Sequence, residues 1–242
     1  MTPKFSVILP ARNEAANLGK LISSLISKYK GLINEIIIVE DCSTDKTLEI
    51  ALLLQTRYPK YIKIIKRKSP PGVGLALRDG MKNISHKSHY VLFMDSDFLI
   101  NIPDIAKMIA KIPQYDGVVG SRFMSANSLL NYPKLKFIAN RSYHFLTRLF
   151  LGIKHTDLTN NFKLYQTELV HKIYPFLTSS DFSVNSEIGY YPVLLGAKIG
   201  EVPVKWQERS KQMGVSKFKL FLVGPSYLNV FLKLILMKIK LL

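Results

Sequence analysis

The chain has 242 residues, 48% of them hydrophobic and 21% charged, which excludes an intrinsically disordered protein and suffices for one main core with at most an appendage. A formal net charge of +17 directs it toward polyanions, whether nucleic acid, phosphorylated substrates or an acidic membrane surface, without choosing among them. Cys42 is the sole cysteine, so no intrachain disulfide can form and a reducing, cytosol-facing location is expected.

In chain order, residues 5–9 form an apolar run too short for the core of a signal peptide and read as a first strand. Leu18, Leu21, Ile22, Leu25 and Ile26 then recur at helical spacing. Residues 35–39, 61–65, 90–94 and 117–121 read as further strands. A helix after Asp45 is expected to turn Leu48, Ala51 and Leu52 inward. Strands alternating with helices predict an α/β fold, a mostly parallel central sheet with helices on both faces. Ligands of such sheets bind beyond the carboxyl ends of the strands. Three polar clusters stand there: Pro10-Ala11-Arg12-Asn13-Glu14, Glu40-Asp41-Cys42-Ser43-Thr44-Asp45 and Asp95-Ser96-Asp97.

Two aspartates one residue apart at a strand end can approach one hard cation and its phosphate ligands. Asp97 could equally cap the helix that follows. Asp41 offers acceptors to a nucleobase, Arg12 a guanidinium to phosphate, and Glu14 an acceptor to ribose or a first-turn helix charge. Ser43 or Thr44 could cap the next helix. Gly72-Val73-Gly74 permits close approach of backbone to a ligand but fails as a dinucleotide fingerprint, because the third glycine and the later acidic residue are misplaced.

Beyond residue 120, helices are expected over 135–151 and 187–195 and strands over 162–165 and 198–204. Between residues 220 and 237, 13 of 18 residues are apolar, close to the length of a membrane span. On a helix, Ser226, Asn229, Lys233 and Lys240 share a narrow stripe, as suits a helix lying in a membrane interface; an ordinary packing helix is the alternative.

In this order and spacing the three clusters resemble those of the GT-A glycosyltransferases, in the large family two that includes dolichyl-phosphate mannose synthases. Gly120-Ser121-Arg122-Phe123, Thr156-Asp157, Asn161-Phe162-Lys163-Leu164-Tyr165, Glu187, Glu201-Val202-Pro203-Val204, Arg209 and Gly214-Val215-Ser216-Lys217 look like landmarks of its polyprenyl-phosphate branch. The resemblance implies a GT-A catalytic domain over residues 1–216 and an apolar, basic, membrane-associated helix over 217–242. It implies a nucleotide-sugar site of Pro10, Arg12, Glu14, Asp41, Ser43, Gly74, Asp95, Ser96 and Arg209, with Asp95 and Asp97 holding Mg²⁺ or Mn²⁺. Arg122, Lys136, Asn140 and Lys217 would hold an acceptor phosphate, and Asp97, Arg122 and Asp157 would serve catalysis. The sequence departs from the family pattern at Glu40, Val73, Leu99, Asn161 and Lys163, and in two extra residues between Arg209 and Gly214.

The expected reaction is inverting transfer of a sugar from GDP-mannose or a UDP-hexose to a polyprenyl (dolichyl) phosphate, at the cytoplasmic face of a membrane, by a peripheral or monotopic protein with room for a membrane partner subunit. Transfer to a glycan hydroxyl would need a carboxylate base, for which Asp157 and Glu187 are the candidates. A noncatalytic basic module is the reading from another class. No nucleic-acid partner is expected, since a recognised motif and interleaved aromatics are missing.

Overall fold

The computed structural model describes residues 4–125, 128–207 and 220–241. Strands β1 (Phe5–Ala11), β2 (Ile33–Glu40), β3 (Ile62–Lys66), β4 (Tyr90–Phe93) and β5 (Gly117–Ser121) alternate with helices α1 (Ala15–Tyr29), α2 (Thr47–Arg57), α3 (Val73–Lys82) and α4 (Asp104–Lys111). There follow a two-residue strand β6 (Leu129–Leu130), α5 (Lys134–Leu151), β7 (Lys163–Gln166), α6 (Thr167–Ile173), α7 (Val184–Leu194), β8 (Ile199–Pro203), β9 (Trp206–Gln207) and α8 (Leu220–Leu241). The main sheet has the order β3-β2-β1-β4-β7-β5-β8, and β6 pairs with β9 apart from it. Only β7 runs antiparallel to its neighbours in that sheet.

Strand side chains alternate between two cores, as a period of two requires. Val7, Leu9, Ile36 and Ile38 meet α1, α2 and α4 on one face. Ile8, Ile37 and Val39 meet α3, α6 and α7 on the other. Residues buried on both faces explain why β1, β2 and β4 read as continuous apolar runs.

The helix after Asp45 differs from expectation. It buries Thr47, Ala51 and Leu54, while Leu52 is 50% exposed. Its start is held by the Asp45 carboxylate, which accepts the Thr47 N–H at 2.9 Å, not by Ser43 or Thr44. This places positions 47, 51 and 54 on the inner stripe. Helix α7 is buried from Val184 to Pro192, so it has no outer face to generate a periodic signal, and its start lies three residues ahead of the expected one.

Helix α8 buries Val223, Val230, Phe231 and Leu234, with Val230 and Leu234 inside the second core. Along its polar stripe Asn229 and Lys240 are exposed, while Ser226 and Lys233 are half-buried. Lys233 Nζ donates to Thr178 Oγ1 at 2.6 Å, and Ser226 bonds Asp181.

Candidate active site

Because β1, β2 and β4 are parallel, the three polar clusters emerge along one edge of the sheet. The first two interlock. Asn13 donates its N–H to Ser43 Oγ at 3.0 Å and accepts the Thr44 N–H on Oδ1 at 2.8 Å. Glu14 N–H donates to Thr47 Oγ1 at 2.8 Å. Asn13 and Cys42 both take left-handed backbone, with φ of 52° and 57°. Asn tolerates that region and Cys rarely does, so Cys42 marks a strained turn beside Asp41.

Asp41 is buried. Its carboxylate takes the Arg67 guanidinium on one oxygen and the Gly72 N–H on the other at 2.8 Å. Arg67 Nε also reaches Asp79 Oδ2 at 2.8 Å. Burial alone would lower the Arg67 pKa, but hydrogen bonds and charge from Asp79 and Asp41 raise it. A carboxylate oxygen has two lone pairs, so Asp41 retains acceptor capacity. Sequence reading did not single out Arg67, whose partners lie 26 and 12 residues away.

Several expected donor-site residues have structural employment. Glu14 is 5% exposed and accepts Asn17 Nδ2 at 2.6 Å, so its buried carboxylate helps to organise the start of α1. Ser96 is 2% exposed and donates to the Pro10 carbonyl at 3.0 Å, tying the loop after β4 to β1. Gly74 was expected to admit a ligand, yet its close approach is to the protein itself. Its N–H donates to Ser180 O at 2.9 Å, and a Cβ there would stand 2.2 Å from Ser179 O. Arg12 and Ser43 remain on the rim, exposed and half-buried respectively.

Asp95 and Asp97 line a cavity of about 410 Å³ together with Arg122, Lys136, Asn140 and Asn161. Asp97 precedes the 3₁₀ turn Phe98–Asn101 without capping it through its side chain. Asn161 Nδ2 donates to Asp95 Oδ1 at 2.7 Å. Thus the cavity gathers the expected metal pair and three expected acceptor residues. Pro10, Arg12, Glu14, Asp41, Ser43, Gly74 and Ser96 lie outside its lining. Arg209 and Lys217 fall outside the described residues.

Arg122 and Asp157 form a buried bidentate pair, Nε to Oδ2 at 2.7 Å and Nη2 to Oδ1 at 2.9 Å. The Arg122 N–H adds a bond to Oδ2 at 3.1 Å, and Thr159 Oγ1 donates to Oδ1 at 3.1 Å. Burial would raise the Asp157 pKa, but Arg122 overrides it and holds the carboxyl at about 2. A general base needs a pKa nearer neutrality and a free lone pair. In this structure the Asp157 carboxylate holds Arg122. Glu201 supports it, accepting the N–H of Thr156 at 2.9 Å and of Asp157 at 3.1 Å. Glu187 is also engaged, accepting the N–H of Thr178 and Ser179 at 3.1 and 3.0 Å and the Thr178 hydroxyl at 2.9 Å.

His144 links α5 to this network. Its Nε2 accepts the Leu158 N–H at 3.1 Å, so Nδ1 carries the proton and donates to Asn140 O at 2.9 Å. Burial lowers its pKa to about 4. Asn140 in turn donates to Thr159 Oγ1 at 2.9 Å. Beneath the floor, Lys163 is fully buried and donates to Asn160 O; burial lowers its pKa to about 7 despite Asp157 and Asp95 nearby.

The upper wall is apolar. Tyr132 and Trp206 pack edge to face at 4.5 Å, and Leu146, Tyr227, Leu228 and Phe231 complete it from α5 and α8. Sequence reading missed this wall because it combines residues from helices far apart in the chain.

A sequence model described as glycosyl transferase family 2 matches residues 6–174. An uncharacterised protein of Methanocaldococcus jannaschii is 31% identical over 96% of this chain and 91% of its own length. A dolichol-phosphate mannosyltransferase of Pyrococcus furiosus is 31% identical over 89% of the chain, and a dolichyl-phosphate beta-glucosyltransferase of Saccharomyces cerevisiae 27% over 84%. The chain spans 59% and 66% of those two relatives. Among solved structures, glucosyl-3-phosphoglycerate synthase of Mycobacterium tuberculosis superposes with a TM-score of 0.68 at 19% identity, over 97% of this chain and 80% of the other. At that identity the likeness speaks for the fold alone, which is GT-A. The same enzyme with Mn²⁺ and uridine-diphosphate-glucose gives 0.67 at 21%, over 97% and 79%. With the ordered clusters on one sheet edge and a family match across more than half its length, the chain belongs to glycosyl transferase family 2 and is a glycosyltransferase.

Proposed function

We propose that this glycosyltransferase moves a hexose from GDP-mannose or a UDP-hexose to a polyprenyl phosphate, with inversion, at the cytoplasmic face of a membrane. The observation that carries the choice of acceptor is the state of Asp157 and Glu187. A sugar hydroxyl needs a base to take its proton, and both candidate carboxylates are fully buried and already accept several hydrogen bonds. A phosphomonoester has a second pKa near ~6, is largely dianionic at neutral pH and attacks without a base. Two relatives named for dolichyl-phosphate acceptors support the same choice.

The cavity suits such an acceptor, with cations and amides on its floor and an apolar wall above. In this reading Arg122, Lys136 and Asn140 position the acceptor phosphate, and Arg209 and Lys217 add charge. Asp157 keeps the Arg122 fork oriented. Asp41 meets the base of the donor, and Arg12 and Ser43 flank its ribose and phosphates.

The metal fits this floor as a shared site. Asp95 and Asp97 supply hard oxygen donors, and among the described residues no group of three or more His, Cys, Asp or Glu could enclose an ion alone. Two carboxylates completed by substrate phosphates and water match the habit of Mg²⁺ and Mn²⁺. When bound, the ion would neutralise charge developing on the leaving nucleoside diphosphate. Asn161 holds Asp95 in orientation through its amide.

The purified protein with Mn²⁺ or Mg²⁺ is expected to move radiolabelled sugar from GDP-mannose or a UDP-hexose into polyprenyl phosphate. Asp97→Ala is expected to lower that rate by about a hundredfold or more, the scale for losing a transition-state charge stabiliser. Transfer to glycan hydroxyls alone would reject the proposal.

A further inference from the structure

Three amide oxygens close to the candidate metal pair have no donor to accept from. Among the described residues, Oδ1 of Asn140, Asn161 and Asn185 is buried and meets no hydrogen-bond partner, and all three residues line the cavity of about 410 Å³. Buried acceptors are nearly always paired in native proteins, so several unpaired ones around one space call for a ligand that donates.

Two of these amides cannot turn round to relieve the deficit. Asn161 Nδ2 donates to Asp95 Oδ1 at 2.7 Å, and a carboxylate oxygen only accepts, so the amide oxygen cannot take that place. Asn140 Nδ2 donates to Thr159 Oγ1 at 2.9 Å, and the Thr159 proton goes to Asp157. Asn185 stands in the first turn of α7, where its backbone N–H donates to Phe182 O at 3.1 Å. Glu187 ties the preceding segment to the same turn by accepting the N–H groups of Thr178 and Ser179. Asn161 and Asn185 are only 2% and 6% exposed. Both are interior amides on fixed elements, as a specificity contact requires.

The phosphate and hydrocarbon parts of the substrates do not meet this need. A dianionic phosphate and a nucleoside diphosphate present oxygens that only accept, and a prenyl chain carries no polar hydrogen. Ring hydroxyls of a hexose do donate. In the reading above, the donor diphosphate lies at Asp95 and Asp97 through the ion, and the hexose is bonded directly to its outer phosphate. Asn161 touches Asp95, which puts its amide beside that sugar.

We propose that Asn161 and Asn185 accept hydrogen bonds from two ring hydroxyls of the transferred hexose and so select a sugar that carries donors at both positions. This rests on the nucleotide-sugar reading and deepens it by naming the residues that meet the sugar. Each hydroxyl has one proton, so two amides need two hydroxyls. Two such contacts also hold the ring in one orientation for in-line attack. Asn140 stays with the acceptor phosphate, which its second amide N–H can meet.

Calorimetric titration of the full chain in Mn²⁺ tests this without any acceptor. The ligands are GDP-mannose, UDP-glucose, GDP, UDP, and versions of both donors with one ring hydroxyl replaced by fluorine, which fills similar space but has no proton to donate. For the donor that the wild type binds, two of the fluorinated analogues should each bind about three- to tenfold more weakly, the scale of one neutral hydrogen bond. Asn185→Leu keeps the side chain's bulk. It should abolish one of the two penalties and weaken the parent donor by a similar factor, leaving GDP or UDP within about twofold. Asn161→Ser also loosens Asp95, so its readout is the fluorine penalty compared within the variant, and the second penalty should vanish there. Thermal melting checks folding, and the wild-type titrations stand even if a variant melts early. Equal binding of all fluorinated donors by the wild type would overturn the proposal. Penalties that persist in both variants would do the same, giving the amide oxygens to water or to the ion. Equal losses of parent donor and nucleoside diphosphate in Asn185→Leu would make that residue structural and overturn its role. A wild type that binds neither sugar nucleotide would sink the donor reading and this inference together, whereas a bound donor without fluorine penalties would sink this inference alone.

Discussion

Asp157 and Arg122 lie 35 residues apart and meet as an ion pair at the cavity, with the Asp157 carboxylate fully buried. Removing one partner of such a pair strands the other charge and costs about 3–5 kcal/mol. Asp157→Asn should therefore lower urea stability by that order and weaken acceptor affinity, since Arg122 loses its second anchor; a stability equal to wild type would contradict the pairing. The pair also sets an acid limit. The Asp157 pKa is depressed from 3.8 to about 2, so its contribution is present above ~4 and is lost as pH falls toward about 2. His144 acts earlier. Its pKa falls from 6.5 to about 4, so the unfolded chain binds a proton that the folded one refuses. Stability should drop by on the order of 3 kcal/mol as pH falls from about 6.5 to about 4. Denaturant titrations of wild type and His144→Gln across that window check this, because the variant should lose the slope. The sequence singled out Arg122 and Asp157 but could not show that they neutralise each other. His144 carried no signal, being one polar residue on the buried side of an amphipathic helix.

The start of α3 and the segment before α7 touch through backbone. Gly72 and Gly74 sit against Ser180 O and Ser179 O, where a Cβ would come within 2.5 and 2.2 Å. Neither contact atom can rotate away, so Gly74→Ala must move one segment. The expected loss is about 1–3 kcal/mol or more, the usual range for overpacking, read as a fall in melting temperature. An unchanged melting temperature would show the segments to be loosely docked. The glycine pair was legible as a site of close approach, but its partner was not, because the approaching chain lies over 100 residues away. Elsewhere the elements were readable where burial is simple. Strands β1, β2, β4 and β5 are covered on both faces and appear as apolar runs, whereas α7 is buried all round and α2 leaves Leu52 and Leu53 outside, so helical periodicity is blurred in both.

Helix α8 belongs to the second core and to the cavity wall at once. Its loss should therefore disturb both. A chain ending at residue 219 would expose the partners of Val223, Val230, Phe231 and Leu234, worth on the order of 5 kcal/mol, and would open the cavity. Truncation should lower the melting temperature and abolish transfer even to a detergent-solubilised acceptor; a truncated enzyme that keeps its activity on that acceptor would reduce α8 to an anchor. Helix α5 joins the same wall to the catalytic floor, because its inner side carries Asn140 and His144.

Fold class, the family and the three clusters on one sheet edge followed from the amino-acid order, because strand burial and the strand-end loops are local features with short-range patterns. The engagement of Asp157 and Glu187, the Arg67 clamp on Asp41, and the ties of Ser226 to Asp181 and of Lys233 to Thr178 were settled only by folding. Each depends on partners distant in the chain, and no local pattern records which buried charge will meet which, or which side of an apolar helix the protein will claim.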